Sequence, residues 1–547
     1  MTSRRERIEP LFLRLIAARS DTNTSYELVI EEIMLNWLKS RSYFSKNLDN
    51  VGTWRVENDQ HHREVVWALV KGQGSRTIVL MHHHDAVDIE DYGKLKYCAL
   101  RPDELAQQLA TRNLGRSAKK DLESGEWMFA RGCADMKSGA AIQLALLEEF
   151  SELENFVGNI LLISVPDEET ISKGMLSAVD LLCDLRSRFE LEYILTINSE
   201  PYFNQVKDKA IMYEGSVGKI MPVVFVKGVR SHISDPYNGI NPSLILAQIQ
   251  CLSELNVSLC DQVGDDATPP PVWVNLKDRK RAYDASIPDA ASGYFNWLTF
   301  TRSPVQVFET MLDISQKALD DVMTRMLRSY SEFCRLNRDE EAELDFVPRV
   351  LDFKSLYQQA LEKGGEHFQV LYEEYQLLLN ELLARNEIVL PEATIRLIEF
   401  TADYVDLEGP AVVVAVSGPY YPHIANVLLE NGDRYQLARR VNDISLQRYG
   451  VEYTSKAYFM GISDLSYASW IGNDEDVKAI RDNSPGWDTI YHIPFEGVQS
   501  LRMPVVNIGP WGKDLHKMTE RVYLKDVYER VPEILAQLIT DILAANN

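Results

Sequence analysis

The chain has 547 residues, 45% hydrophobic and 25% charged, and 57 basic against 81 acidic side chains leave a formal net charge of −24. That length exceeds what one core usually supports, so two or more folded units are expected, and no apolar run reaches the length of a membrane span, so no membrane partner is expected. The acidic surplus disfavours nucleic acid as a partner.

Residues 6 to 40 alternate apolar and polar positions at helical spacing in two blocks, broken at "SDTNTS", where Ser20, Asp21 and Thr22 offer cap chemistry. The arginine-bearing first block lacks a sustained apolar core and a cleavage pattern, so it is read as an amphipathic helix rather than a signal peptide. Short β-rich runs follow at "EVVWALV" and "RTIVLM", then an Ala/Leu-rich helix at "SGAAIQLALLEEF", a buried strand at "NILLISV" and another at "YILTIN". Strands alternating with helices predict a layered α/β domain. After Tyr213 the style changes. "KIMPVVFVKGV" and "YFNWLTFT" read as strands, while "NPSLILAQIQCLSEL" and the run from Pro304 to Leu336 read as helices, which is an α+β module inserted in the α/β chain. A second long helical pattern covers Phe353 to Arg385, and "PAVVVAVSG" and "MPVVNIG" then restore short strands. The predicted boundaries are 1–212 for the first catalytic segment, 213–352 for the inserted module, and 353–547 for the second catalytic segment with a helical insertion. Cys98, Cys133, Cys183, Cys251, Cys260 and Cys334 are scattered without a CxxC pair, which fits reduced thiols in a cytoplasm.

Chemistry concentrates where apolar strands end. In "IVLMHHHDAVD", side chains two apart share a face, so His83 and Asp85 point together while His82 and His84 point away. An aspartate beside a metal-ligating histidine accepts its free ring N–H and fixes the tautomer. "RGCADMKSG" places Asp135 before the Ala-rich helix, "SVPDEET" places Asp167, Glu168 and Glu169 after a strand, and "TINSEP" places Glu200 after the next. Strand ends are where α/β sheets hold ligands. Taken singly, each group has a plainer role: Asp135 as an N-cap, Asp167 to Glu169 as a solvated turn, Glu200 as a surface residue before Pro201. Four successive strand ends each offering a metal-type side chain are harder to explain that way.

The ordered set resembles the M20 family of metal-dependent peptidases and amidohydrolases, which includes aminoacylases, carboxypeptidase G and succinyl-diaminopimelate desuccinylase. The matching motifs run in order from His83-His84-Asp85 through Gly132-Cys133-Ala134-Asp135-Met136-Lys137, Asp167-Glu168-Glu169 and Glu200-Pro201 to His516 in "WGKDLHKMTERVY". The resemblance implies a discontinuous α/β catalytic domain with a central mixed sheet between helices, and an inserted α+β, ferredoxin-like lid that also makes a homodimer. It implies two divalent metal ions, zinc first with cobalt or manganese as alternatives. Asp135 would bridge them, with His83 and Glu200 completing one site and Glu169 and His516 the other. Glu168 would be the general base, Asp85 would orient His83, and His232 in "GVRSHISDPYNGINP" would stabilise the oxyanion, often from the neighbouring subunit. Substrate contacts are expected from Asn296, Arg302 and Ser463, the last in the turn Gly461-Ile462-Ser463-Asp464.

Length and insertions look closest to the RocB-like, arginine-utilisation branch, and His82 replaces the usual small residue before the ligand, where it would add bulk or a proton donor beside the metals. The expected activity is cleavage of an amide bond in a small peptide or N-acyl amino acid. The alternative is a catalytically silent relative acting as a binding or assembly protein, which would have no need of an intact Glu168. A serine or cysteine hydrolase has no Gly-x-Ser-x-Gly elbow to support it, and Cys133 has no paired histidine at a recognisable spacing.

Overall fold

The computed structural model describes residues 3–203 and 209–545. The chain divides into two compact units: Met1–Ser216, Ile424–Ile471 and Pro494–Asn547 form the first, and Val217–His423 with Gly472–Ile493 form the second. Among the described residues no helix is long and apolar enough to cross a membrane.

The first unit opens with helices α1 (Arg4–Ala17) and α2 (Glu27–Lys39). A capping box between Ser3 and Glu6 starts α1, whose inward face is Ile8, Leu11, Phe12, Leu15 and Ile16. The cap expected at Ser20 to Thr22 is not used: α2 starts after Tyr26, and Asp21 instead pairs with Arg19. Eight strands build the main sheet. In chain order they are β1 (Val51–Arg55), β2 (Glu64–Lys71), β3 (Gln73–His83), β4 (Val157–Val165), β5 (Glu192–Asn198), β6 (Lys209–Tyr213), β7 (Glu452–Lys456) and β8 (Val505–Asn507). Across the sheet the order is β1-β2-β4-β3-β5-β8-β6-β7. The central trio β4, β3 and β5 is parallel, with His83 level with Val165 and Met81 level with Asn198, so the three C-terminal ends lie side by side. Ile78 to Met81 on β3 and Ile160 to Ile163 on β4 are buried on both faces, as expected of parallel strands covered by helices. One such helix is α3 (Ser138–Ser151), hydrophobic nearly all round.

The second unit carries a five-stranded sheet ordered Val272–Asp278, Ala290–Thr299, Gly218–Lys227, Ala411–Tyr421, Arg349–Asp352. Its neighbours are antiparallel except the last pair. The run 353–404 was expected in the resumed catalytic domain, and it belongs here instead. Ala411 to Ser417 pair with Lys227 to Met221, and helices Phe353–Ala384 and Leu390–Tyr404 bury Phe368, Leu379 and Leu397 in one core with Val223 and Val413. A period-two apolar pattern announces a strand without naming its sheet.

Candidate metal centre

Three adjacent parallel strands each end at acidic or imidazole groups. β3 ends in His83 and is followed by Asp85, β4 is followed by Asp167 to Glu169, and β5 is followed by Glu200. Asp135 arrives from the loop before α3, and His516 from the turn between Gly512–Lys513 and Arg521–Tyr523. Close backbone approach is needed here. A Cβ at Gly139, on the first turn of α3, would lie 2.4 Å from the Ser199 carbonyl oxygen, and one at Gly509 would lie 2.2 Å from that of Glu200.

The five predicted ligands come together. His83 Nε2 lies 3.1 Å from Asp135 Oδ1 and 3.2 Å from Glu200 Oε1. His516 Nε2 lies 3.2 Å from both Asp135 Oδ2 and Glu169 Oε2. The two carboxylate oxygens of Asp135 therefore serve two different histidines. Asp85 Oδ1 lies 3.3 Å from His83 Nδ1, and its two oxygens accept the backbone N–H groups of Glu168 and Glu169, each at 3.1 Å. His83 Nδ1 also lies 3.1 Å from the Asp85 backbone carbonyl oxygen, so Asp85 contacts both the imidazole and the acidic turn.

Among the described residues, every ion pair of Asp135, Glu169 and Glu200 is with histidine, never with lysine or arginine. Buried carboxylates with no lysine or arginine beside them are costly to ionise together. Burial, then the Asp135 charge, pushes Glu169 up to about 7 and Glu200 up to about 8. Glu168 is also raised, chiefly by burial, with Asp464, Glu169 and Glu200 adding to it. Burial works to raise Asp135 too, but hydrogen bonds from His516 and His83 outweigh it and hold this carboxyl below the usual range. Hydrogen bonds to Asp135 and Glu169 lift His516 to about 10. Glu169 Oε1 is buried with no hydrogen-bond partner. Two imidazoles and three carboxylates, with no lysine or arginine partner and one orphaned carboxylate oxygen, fit divalent cations with N/O preference.

The other predicted residues are placed differently. His232 lies on an exposed loop of the second unit, its Nδ1 2.6 Å from Ser234 Oγ. Arg302, in the same unit, pairs with Asp261 at 3.2 Å, and Asn296 keeps a buried Oδ1 without a partner. Ser463 is fully buried, its hydroxyl accepting from Asn198 Nδ2 at 3.1 Å, so it is not an open contact. Its neighbour Asp464 is buried: burial raises it to about 7 against a hydrogen bond with Ser172, and the charges of His83, Asp85 and Asp167 act on it. His82 does not stand beside the ligands. Its Nδ1 lies 2.9 Å from Gln143 Oε1 on α3, and burial pushes the ring down to about 3, so it is neutral.

Glu520 escaped the sequence reading. Its Oε1 accepts the backbone N–H groups of Ala134 at 3.1 Å and Asp135 at 3.4 Å, and its Oε2 lies 2.9 Å from Arg131 Nη1. Its one signal is position, four residues after His516 on the same stretch.

The model of Peptidase family M20/M25/M40 matches residues 116–541. YqjN of Bacillus subtilis (strain 168) is 32% identical, covering 97% of this chain and 96% of its own length. RocB of the same organism is 29% identical, covering 98% and 95%. The solved aminopeptidase PepT from Bacillus cereus has the same fold, with a TM-score of 0.53 at 12% identity over 99% of each chain. The chain belongs to peptidase family M20/M25/M40. It is an M20-type hydrolase acting on C–N amide bonds, a class that uses divalent metal ions.

Proposed function

We propose that the protein is a dinuclear metal-dependent hydrolase that cleaves an amide bond in a small peptide or an N-acyl amino acid. The observation that carries this reading is the split of Asp135 between His83 and His516, each histidine accompanied by its own glutamate. Asp135, His83 and Glu200 would hold one ion, and Asp135, Glu169 and His516 the other. Such a pair supplies Lewis acidity toward the amide oxygen and lowers the pKa of water. Zinc suits the donor set, and cobalt and manganese use the same atoms.

Glu168 follows Asp167 on the turn and is no nearest partner of either histidine. As general base it takes a proton from the attacking water and returns it to the departing amine, which leaves neutral. Burial, with the charges of Asp464, Glu169 and Glu200, raises its pKa, which makes the carboxylate a stronger proton acceptor. Asp85 fixes the His83 tautomer through Nδ1. Asp464 is electrostatically linked to the base and acts to raise its pKa. His232 of the second unit is the candidate oxyanion donor, within one chain or across a homodimer formed through that unit. Asn296 and Arg302 are the candidate contacts to the substrate.

The resemblance to the RocB-like, arginine-utilisation branch makes an arginine-derived amide the first substrate class to test, and RocB is similar over nearly the whole chain. The experiment is metal analysis of protein purified without chelator or histidine tag, combined with hydrolysis of dipeptides and N-acyl amino acids that include arginine derivatives. About two ions per chain and turnover abolished by chelation are expected. Two ions with no turnover on any member of the panel would favour a silent binding protein. No uptake of zinc, cobalt or manganese would remove the dinuclear reading.

A further inference from the structure

The turn Asp167-Glu168-Glu169 presents three consecutive backbone N–H groups, and buried carboxylates accept all three. Asp85 takes those of Glu168 and Glu169, while Glu27 Oε2 on α2 takes that of Asp167 at 3.0 Å. Asp167 itself adopts φ +70°, a left-handed conformation that a non-glycine residue holds only when its surroundings impose it.

Those surroundings centre on Arg63, at the foot of β2. Its Nη1 lies 2.7 Å from both Glu27 Oε1 and Asp167 Oδ1, and its Nη2 lies 2.6 Å from Asp59 Oδ1. All four side chains are buried to within 1% of complete. Asp167 Oδ1 also accepts from the Thr170 hydroxyl at 2.7 Å, and Oδ2 accepts the Lys173 N–H at 3.2 Å, so its carboxylate closes the turn from within. Glu27 therefore grips the turn twice, directly through the Asp167 N–H and indirectly through the Arg63 fork. The same helix reaches β3 through Glu31, whose Oε1 lies 3.4 Å from His84 Nε2, beside His83.

We propose that Glu27 and Arg63 are positioning residues for amide hydrolysis: together with Asp85 they fix the turn that carries Glu168 and Glu169. The proposal rests on the roles assigned above to those two glutamates. Arg63 presents a planar fork to carboxylates from three elements, a geometry that lysine does not reproduce. Neither Glu27 nor Arg63 is among the ligand side chains of the cluster, so losing either should move the base and one ligand without emptying the site.

Glu27→Gln keeps the shape of the side chain but satisfies only one of the two donors. It should lower kcat at least tenfold with KM changed less than threefold, and weaken one of two zinc ions at least tenfold in competition with a chromogenic chelator. Arg63→Lys should act the same way, and Arg63→Met more strongly. Asp59→Asn is the control, because it loosens Arg63 on the side away from the turn. It should lower the melting temperature comparably with a smaller loss of kcat and no differential loss of zinc. Wild-type protein that turns over and holds two ions, alongside a Glu27→Gln variant that matches it in kcat and zinc affinity, overturns the proposal. So does a kcat loss that simply follows melting temperature across all four variants. A wild type that binds no metal fails earlier, at the reading of the site itself, and takes this proposal with it.

Discussion

Asp135 and His516, distant in the chain, meet at 3.2 Å between Oδ2 and Nε2, while the other oxygen of the same carboxylate faces His83. In the proposed dinuclear reading, this carboxylate would be shared by the two ions. Asp135→Ala should therefore remove metal from both positions, whereas Glu200→Ala and His516→Ala should each weaken one. Elemental analysis decides this, and an Asp135→Ala protein still holding two ions would show that the carboxylate is no bridge.

Glu168→Gln deletes the base and no ligand. Metal content should stay near two per chain while kcat falls about 10²- to 10⁴-fold, the usual contribution of general acid–base catalysis. Activity within a few-fold of wild type would assign the proton transfer to another group.

The cluster makes metal-free protein sensitive to pH. His516, at about 10 against an ordinary 6.5, contributes stability that is complete below about 6.5 and lost as pH rises through about 10. Glu169 at about 7 and Glu200 at about 8, raised from 4.5 chiefly by burial, act in the same direction, since ionising them inside the fold costs stability. Metal-free protein should thus melt at lower temperature as pH rises from about 4.5 to about 10. Metal uptake needs the unprotonated groups, so affinity should strengthen over the same range and loading should release protons. Calorimetry in two buffers of different ionisation enthalpy measures that release; loading without it would contradict a protonated His516, Glu169 and Glu200 in the metal-free site.

His232→Ala should lower kcat about 10²-fold with metal content unchanged, the scale seen when one oxyanion donor is lost. An unchanged kcat would leave this exposed histidine without a catalytic part.

Phe368 is fully buried among Tyr357, Tyr372 and Tyr404 in the second unit. Phe368→Ala should reduce unfolding free energy by about 3–5 kcal/mol through the cavity it leaves. Denaturant unfolding tests the figure, and a loss below about 1 kcal/mol would mean that the helix 353–384 is not part of that core.

Four of the five clustered groups were legible because each follows a recognisable local event, whereas His516 came only from the family resemblance. An apolar run ends, and His83, Glu169 or Glu200 stands just past it, or a glycine turn opens a helix behind Asp135. The substrate-side expectations had no such event behind them, and the one at Ser463 fell on a hydroxyl already committed to Asn198. The sequence places the second catalytic segment from residue 353, whereas the first compact unit resumes at Ile424 and gives Gly472–Ile493 back to the second. Helical and alternating patterns identify elements, but the sheet that "PAVVVAVSG" joins depends on pairing across a long stretch of chain.

From the sequence alone came the order of the imidazole and carboxylate side chains, the paired Glu168 and Asp85 beside them, and the alternation of strands and helices, because those are properties of neighbours along the chain. Tertiary structure decided the rest. It set β4, β3 and β5 side by side so that their acidic ends converge, turned the two oxygens of Asp135 toward different histidines, and seated Glu27, Arg63 and Glu520 behind the site. A buried carboxylate's partner is chosen by distance in space and by the cost of leaving its charge uncompensated, and neither is written in the spacing of residues.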